Sequence, residues 1–220
     1  IGNTLYENVD GTFIDRSKGS GADDQGYGIG VATGDYDGDG DVDIYVTNLG
    51  SNVLLRNEGS GTFTNVAIEA GVEGEGFSAC AAFSDLDLDG DLDLIVTQYI
   101  DWTYEDEQVC YDRQGIRTYC HPAVYQAPVH DVLYLNNGDG TFTDVSKESG
   151  FADVKGTGLG VVVANLTNDN LPDIFIGNDK MPDRLWVNAG DVTFTEEGGQ
   201  RGVAIDDAGV AKAGMGTDVS

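Results

Sequence analysis

Apolar residues along the chain occur in short alternating runs, which are separated by turns rich in glycine, asparagine and aspartate. The same run and turn recur, so that Phe13, Phe63, Phe142 and Phe194 each follow a matching turn, with steps of 50, 79 and 52 residues. Self-similarity at a fixed period is the sequence signature of a repeat architecture. The pattern therefore predicts repeated structural units, with about 30 extra residues inserted in the second step.

Each repeat predicts four short β-strands. The first strand is rich in small residues, as in GIGVATG, SACAAFS and GLGVVVAN, and the second is β-branched, as in DIYVTN, DLIVTQ and DIFIGN. The third and fourth strands form a hairpin, as in VLYLNNGDGTFTDV, because Asn and Gly in its turn tolerate positive φ. No segment has a sustained helical period, and VAIEAG at 66–71 is the best short helical candidate.

Four strands in a repeat of about 50 residues are typical of a β-propeller blade, whose first strand lies nearest the axis. We therefore predict an all-β chain and one partial β-propeller, an open arc of about three four-stranded blades plus two partial blades. A β-sandwich with accidental similarity is the alternative, and four hairpins in register disfavour it. The predicted units within 1–220 are the end of a preceding blade at 1–26, blades at 27–76, 77–156 and 157–208, an insertion at 101–130, and the start of a further blade at 209–220.

A nine-residue acidic loop joins the first and second strands of each repeat. Two of these loops follow the pattern Asp-x-Asp-x-Asp-Gly-x-x-Asp. Carboxylates this close repel one another without a cation, and Ca²⁺ accepts six to eight oxygen ligands in flexible geometry. We predict Ca²⁺ ligands at positions 1, 3, 5, 7 and 9, with position 7 ligating through its backbone carbonyl. They are Asp35, Asp37, Asp39, Asp41 and Asp43 in loop 1, and Asp85, Asp87, Asp89, Asp91 and Asp93 in loop 2.

The third loop keeps only part of this pattern. Its oxygen donors still suit Ca²⁺, so we predict a weaker site, and an unoccupied turn is the alternative. For loops 1 and 2 the alternative is a solvated acidic hairpin, which the repeated spacing disfavours. An EF-hand is excluded because position 12, where it needs a bidentate acid, is Val46, Val96 or Ile176. Positions 1, 3, 5, 7 and 9 of loop 3 are Asn165, Thr167, Asp169, Leu171 and Asp173.

The composition narrows the possible partners. Among 220 residues there are 11 Lys and Arg against 39 Asp and Glu, for a formal charge of −28. Such a chain is a poor partner for nucleic acid and anionic membranes. Hydrophobic residues make up 40% of the chain, which is enough for a packed core. The sequence contains no run of 18 apolar residues, so no transmembrane helix is predicted.

The insertion at 101–130 carries its own candidate chemistry. Cys110 and Cys120 lie ten residues apart and predict a disulfide, which is consistent with an oxidising compartment. A zinc site formed with His121 and His130 is the alternative, which the unpaired spacing disfavours. Cys80, outside the insertion, is expected to be a buried small hydrophobe. The insertion also contains five aromatic residues, which either form a binding surface or pack the insertion onto the propeller. They are Trp102, Tyr104, Tyr111, Tyr119 and Tyr125.

The acidic loop after a small-residue strand resembles the FG-GAP/VCBS repeat of integrin-α-like seven-bladed propellers. The segments LYLNNGDGTFTDVSKESG and TYCHPAVYQAPVHDVLYLNN resemble, more closely, the cartilage-acidic-protein and ASPIC/UnbV group of secreted proteins. The resemblance implies an extracellular, calcium-stabilised propeller used for adhesion or recognition, with calcium carried by the aspartates at positions 1, 3, 5 and 9 of loops 1 and 2. Departures are the degenerate third loop, Cys80 in a first strand, and the lack of an ASPIC/UnbV segment.

Three functions are compatible with these features. The leading hypothesis is a non-enzymatic, secreted calcium-binding module that recognises an extracellular protein or carbohydrate, located outside the cell, in a periplasm or at a cell surface. The alternative is the propeller portion of a secreted hydrolase or lyase acting on polysaccharide, although the sequence has no G-x-S-x-G, H-E-x-x-H or P-loop motif. A calcium buffer or matrix filler, suggested by the net charge, is the third.

Overall fold

The computed structural model describes residues 2–121, 124–214 and 216–217. Within these residues the strands pair antiparallel, in three four-stranded and two two-stranded sheets. In chain order the strands are β1 (Tyr6–Val9), β2 (Thr12–Asp15), β3 (Gly28–Gly34), β4 (Asp43–Asn48), β5 (Val53–Asn57), β6 (Phe63–Asn65), β7 (Ser78–Ser84), β8 (Asp93–Gln98), β9 (Cys110–Tyr111), β10 (Arg117–Thr118), β11 (Val132–Asn136), β12 (Phe142–Asp144), β13 (Gly158–Ala164), β14 (Asp173–Asn178), β15 (Arg184–Asn188) and β16 (Phe194–Glu196).

Each four-stranded sheet is a simple meander. The orders are β3-β4-β5-β6, β7-β8-β11-β12 and β13-β14-β15-β16, which we call sheets 1, 2 and 3. The insertion therefore separates the second and third strands of sheet 2 without breaking the sheet. The prediction of an all-β partial propeller built from four-stranded blades is confirmed.

The helical candidate at 66–71 forms one turn, α1 (Ala67–Ala70). Its two buried alanines face the core, and Gly71 ends it in the left-handed conformation with φ of 78°. Two 3-10 turns, Tyr104–Asp106 and Phe151–Asp153, follow β8 and β12 respectively. None of the helices described has the length and apolar character needed to cross a bilayer.

The first strands of neighbouring sheets contact each other, β3 with β7 and β7 with β13. At the first of these contacts a Cβ on Gly30 would lie 2.4 Å from the carbonyl oxygen of Ala79. The Thr47 hydroxyl also donates to that oxygen, at 3.2 Å. Small residues on the first strand therefore allow the close approach predicted for the inner edge of a propeller.

The hydrophobic core lies between successive sheets. One cluster packs Tyr45 and Leu54 of sheet 1 against Leu94 of sheet 2, and a second packs Ile95 of sheet 2 against Ile174 of sheet 3. The repeated phenylalanines differ accordingly, since Phe142 and Phe194 are buried whereas Phe13 is 70% exposed. The β1–β2 hairpin adds no buried side chain to the core.

The insertion folds as a small hairpin, β9–β10, that a Cys110–Cys120 disulfide closes. The predicted disulfide is confirmed, and it removes the thiolates that the alternative zinc site requires. Trp102 packs against Phe77 and Tyr125, with ring centroids 6.4 and 6.3 Å apart. Cys80 is free and half-buried rather than buried, although its neighbours Ala79 and Ala81 on the same strand are buried.

The predicted start of a further blade at 209–220 lies partly outside the described residues. In the described part, Ala213 forms a bridge with Asp179, and Gly214 donates its N–H to the Asn178 carbonyl at 2.8 Å. This segment thus lies beside the end of β14 in sheet 3.

Candidate metal centre

The three acidic loops connect β3 to β4, β7 to β8 and β13 to β14. Each loop turns through two residues with positive φ, at positions 4 and 6. Glycine and asparagine adopt this conformation at low cost, whereas leucine at position 4 of loop 2 is disfavoured. The pairs are Gly38 and Gly40 (φ 72° and 94°), Leu88 and Gly90 (64° and 102°), and Asn168 and Asn170 (61° and 72°).

Loops 1 and 2 each gather three carboxylates. Asp35, Asp37 and Asp39 can each place an oxygen within 4.8 Å of the other two, and so can the residues at the same positions of loop 2, Asp85, Asp87 and Asp89. The structure therefore brings together positions 1, 3 and 5 of the predicted ligand set. We call these two groups the acidic triads.

Backbone N–H groups hold the two triads in nearly the same geometry. Asp35 Oδ2 accepts from Gly40 N at 3.0 Å, and Asp39 Oδ1 accepts from Asp41 N at 2.8 Å. Loop 2 repeats both bonds at 3.1 and 2.9 Å. Among the described residues, Asp35 Oδ1 is buried and has no hydrogen-bond partner. A buried oxygen without a donor is a position that a cation would satisfy.

The position 9 aspartates are buried and are not members of the triads, and ligation by them stays a prediction. Both oxygens of each carboxylate accept backbone N–H groups, one from position 2 of the same loop and one from the residue that ends the third strand. These carboxylates therefore tie each loop to the hairpin of its own sheet. The donors are Tyr36 and Asn57 for Asp43 (3.1 and 2.7 Å), Leu86 and Asn136 for Asp93 (2.8 and 2.9 Å), and Leu166 and Asn188 for Asp173 (2.9 and 3.0 Å).

Position 7 was predicted to ligate through its backbone. The side chain of Asp91 leans toward the hairpin turn, where a Cβ on Gly138 would lie 2.8 Å from Asp91 Oδ2. The equivalent distance from Gly59 to Asp41 Oδ2 is 3.4 Å. Backbone ligation at Asp41, Asp91 and Leu171 stays a prediction.

Loop 3 has the same fold without an acidic triad among the described residues. The Thr167 hydroxyl, which was predicted to face a cation, donates to Asp173 Oδ2 at 3.0 Å. Asp169 Oδ1 accepts the Leu171 N–H at 3.0 Å, as its counterparts do in the other loops. With Asn165 exposed at position 1, loop 3 retains the hydrogen bonds of the turn and lacks the concentrated charge.

The triads are electrostatically unfavourable without a counter-ion. Burial, and then repulsion from Asp39, raises the pKa of Asp37, and the same two causes raise the pKa of Asp87 beside Asp89. Burial also raises the pKa of Asp93 to about 6. A cation would reverse these shifts, because it stabilises the ionised carboxylates.

The donor chemistry fits a hard cation. Each triad supplies carboxylate oxygens on a loop that also offers backbone carbonyls, whereas zinc sites commonly include nitrogen or sulfur donors. Six to eight oxygens in variable geometry suit Ca²⁺ better than Mg²⁺, which requires a near-ideal octahedron. The residues present therefore fit Ca²⁺ in loops 1 and 2.

The sequence analysis missed the asparagine that begins each hairpin turn. Asn57, Asn136 and Asn188 were given no role of their own, yet their backbone N–H groups hold the position 9 carboxylates. Their identical place in NEGSG, NNGDG and NAGDV was the available signal.

Comparison with known proteins agrees with the repeats. The FG-GAP-like repeat family matches residues 35–96 and 124–176, just over half of the chain. Cartilage acidic protein 1 of Xenopus tropicalis is 42% identical over 55 residues, and that of Homo sapiens is 40% identical over 55 residues. Each match covers 25% of this chain and 8% of the relative's length.

Among solved structures, the chain matches that of an Agrocybe aegerita lectin, which is described as specifically recognising non-reducing terminal N-acetylglucosamine. It is 21% identical, with a TM-score of 0.42, over 87% of this chain and 44% of the lectin chain. The residues that match the family include both acidic triads and the first strands of sheets 2 and 3, β7 and β13. These are features that recur from one repeat to the next. The chain belongs to the FG-GAP-like repeat family.

Proposed function

We propose that this chain is a calcium-stabilised propeller module that recognises an extracellular protein or carbohydrate without catalysing a reaction. The observation that carries the proposal is the pair of acidic triads, which share one loop geometry on neighbouring sheets. Ca²⁺ bound by the folded loops, and not by the unfolded chain, would add stability in proportion to the logarithm of one plus the ratio of the free Ca²⁺ concentration to Kd.

Thermal unfolding with Ca²⁺ and with chelator tests the calcium function. At a Ca²⁺ concentration about 100 times Kd, each site adds about 2.7 kcal/mol, which raises the melting temperature of a chain this size by about 5–10 °C. Asp37→Ala and Asp87→Ala should each remove one such increment. Asp41→Ala and Asp91→Ala are the matched controls, since position 7 is expected to ligate through its backbone. Equal melting temperatures with and without Ca²⁺ would refute the proposal.

Two further observations support an extracellular location and a recognition function. The Cys110–Cys120 disulfide suits an oxidising compartment. Tyr104, Tyr111 and Tyr119 of the insertion are 69%, 64% and 95% exposed, and exposed aromatic residues on a loop are well suited to binding. We infer that this part of the insertion contacts the partner.

Binding to arrays of glycans and of extracellular matrix proteins tests the recognition function. We expect a hit that is lost when the three exposed tyrosines are changed to serine, while the calcium-dependent melting temperature is unchanged. A hit that the triple variant retains would show that the insertion is not the binding surface. Absence of any hit would contradict recognition of these two partner classes.

A further inference from the structure

A side-chain hydrogen bond connects the acidic loop of sheet 1 with the hairpin of sheet 2. Asn136 Nδ2 donates to the carbonyl oxygen of Tyr36, position 2 of loop 1, at 2.8 Å. The same nitrogen donates to the carbonyl of Leu92, position 8 of loop 2, at 3.0 Å. One buried amide group therefore touches the loops of two sheets.

The next pair of sheets repeats this contact. Asn188 Nδ2 donates to the carbonyl of Leu86, position 2 of loop 2, at 2.9 Å, and to the carbonyl of Pro172, position 8 of loop 3, at 3.2 Å. Residues about 100 positions apart thus form the same bond twice, which makes a chance contact an inadequate explanation.

These bonds join the position 9 carboxylates into a continuous chain. Tyr36 donates its N–H to Asp43 and accepts from Asn136 through its carbonyl, and the N–H of Asn136 donates to Asp93. Asp93 then accepts from the N–H of Leu86, whose carbonyl accepts from Asn188. The chain ends at Asp173, which accepts the N–H of Asn188.

We propose that Asn136 and Asn188 couple the three acidic loops energetically, so that a cation that orders one loop strengthens cation binding by its neighbour. The proposal rests on the proposed calcium function for its ligand. Position 2 lies between the ligands at positions 1 and 3, so its peptide orientation sets both of them. Once one cation has fixed this orientation, the second pays less of the ordering cost, and the effect is reciprocal.

The chain contains a matched control. Asn57 has the same place in sheet 1, where its Nδ2 donates to Val42 of its own loop at 3.0 Å and its Oδ1 accepts from Gly59 N at 3.1 Å. Among the described residues it donates to no loop of another sheet. Asn136→Ala removes contacts within and between sheets, whereas Asn57→Ala removes only the contacts within a sheet.

The first measurement is amide hydrogen exchange in chelator. We expect Asn136→Ala to accelerate exchange of the Tyr36 amide, in the other sheet's loop, by about three- to tenfold, the worth of one buried hydrogen bond. Asn57→Ala should leave the Leu86 amide unchanged. An unchanged Tyr36 rate in Asn136→Ala would overturn the coupling, whether or not the protein binds calcium.

The second measurement is a Ca²⁺ titration followed by the amide resonance of Tyr36, which reports loop 1 alone. Asp87→Ala, which disables loop 2, should weaken Ca²⁺ binding by loop 1 by about three- to tenfold. The same change made in an Asn136→Ala background should have no effect on loop 1, and in an Asn57→Ala background it should keep its effect. Weakening that persists without Asn136, or that never occurs, would overturn the proposal.

The two measurements separate the coupling from the calcium function. If the Tyr36 amide exchanges faster in Asn136→Ala but neither loop responds to millimolar Ca²⁺, the calcium function is refuted and the coupling of the loops stands. If both loops bind Ca²⁺ independently, the calcium function stands and the coupling is refuted.

Discussion

A buried carboxylate immediately before β11 should make the stability of the protein depend on pH. Asp131 is 4% exposed, and its Oδ1 accepts the Gln98 N–H at 2.9 Å. Sheet 1 has an uncharged amide in the same place, Asn52, whose Oδ1 accepts the Asn48 N–H at 2.8 Å. We therefore choose Asp131→Asn, which keeps the acceptor and removes the ionisable group.

The size of the stability change follows from how far burial shifts the pKa of this carboxyl group. Burial raises the pKa of Asp131 from 3.8 to about 7, and the hydrogen bond from the Gln98 N–H and the charge of Arg184 only partly offset the burial. Three pKa units correspond to about 4 kcal/mol. The folded state holds the proton more tightly than the unfolded state, so stability falls as pH rises from about 4 to about 7.

The substitution also has a cost. In sheet 1 the Asn52 amide donates to the Ser78 hydroxyl at 3.0 Å, whereas the matching first residue of β13 is Gly158, which has no hydroxyl. Leaving an amide donor unpartnered costs about 1–3 kcal/mol. At pH 8 we therefore expect Asp131→Asn to gain about 1–3 kcal/mol over the natural protein.

Urea unfolding of both proteins in chelator, from pH 4 to pH 8, measures this difference. The advantage of Asp131→Asn should grow by about 4 kcal/mol across this range, because other carboxylates titrate equally in both proteins. Asp183→Asn, at the half-buried equivalent position in sheet 3, is the control and should show a smaller change. A difference independent of pH would refute the argument that Asp131 is neutral when buried.

Three other substitutions test separate features. Leu88→Asn should raise the free energy of unfolding by about 1 kcal/mol, because asparagine tolerates the left-handed conformation and the leucine side chain is 58% exposed. Urea unfolding measures this free energy, and a loss of stability would contradict the prediction. Replacing Asn165 and Thr167 together by aspartate should tighten Ca²⁺ binding by loop 3, because it restores the two missing carboxylates. Calorimetry should then show one more bound Ca²⁺ per chain. An unchanged stoichiometry would argue that the missing carboxylates do not limit binding by loop 3. Changing Cys110 and Cys120 to serine should accelerate amide hydrogen exchange within the insertion and leave exchange in the three sheets unchanged. Faster exchange throughout sheet 2 would contradict the view that the disulfide stabilises only the insertion.

The repeat pattern predicted the architecture well because local rules dominate it. The strands over 28–34, 78–84 and 158–164 occur at those bounds, since small residues, turns and β-branched runs each indicate their own conformation. The acidic triads were also predictable, because their three members lie within five residues of one another.

The contacts between sheets could not be predicted in the same way. Asn136 meets Tyr36 across 100 positions of sequence, and a single sequence does not show which residues so far apart come together. Burial of Asp131 depends on the packing of sheet 2 against sheet 3, and the sequence marks it only as an aspartate after a histidine. Cys80 is half-buried between two buried alanines, a difference that the small-residue pattern did not reveal.

The close contact at Gly30 has a mechanical consequence for the sheets. The first and fourth strands of a sheet lie about 14 Å apart, so a small change of angle at the contact between β3 and β7 would displace the outer strands much further than the inner ones. A methyl group on Gly30 would have to displace the carbonyl of Ala79, because its carbon would lie only 2.4 Å from that oxygen. Because this methyl group would lie between the two sheets, it would change the angle between sheets 1 and 2 rather than the packing within either sheet. The glycine at this contact thus constrains the angle between neighbouring sheets of the arc, and the hydrogen bond from Asn136 to Tyr36, which joins the same two sheets, would respond to a change in that angle.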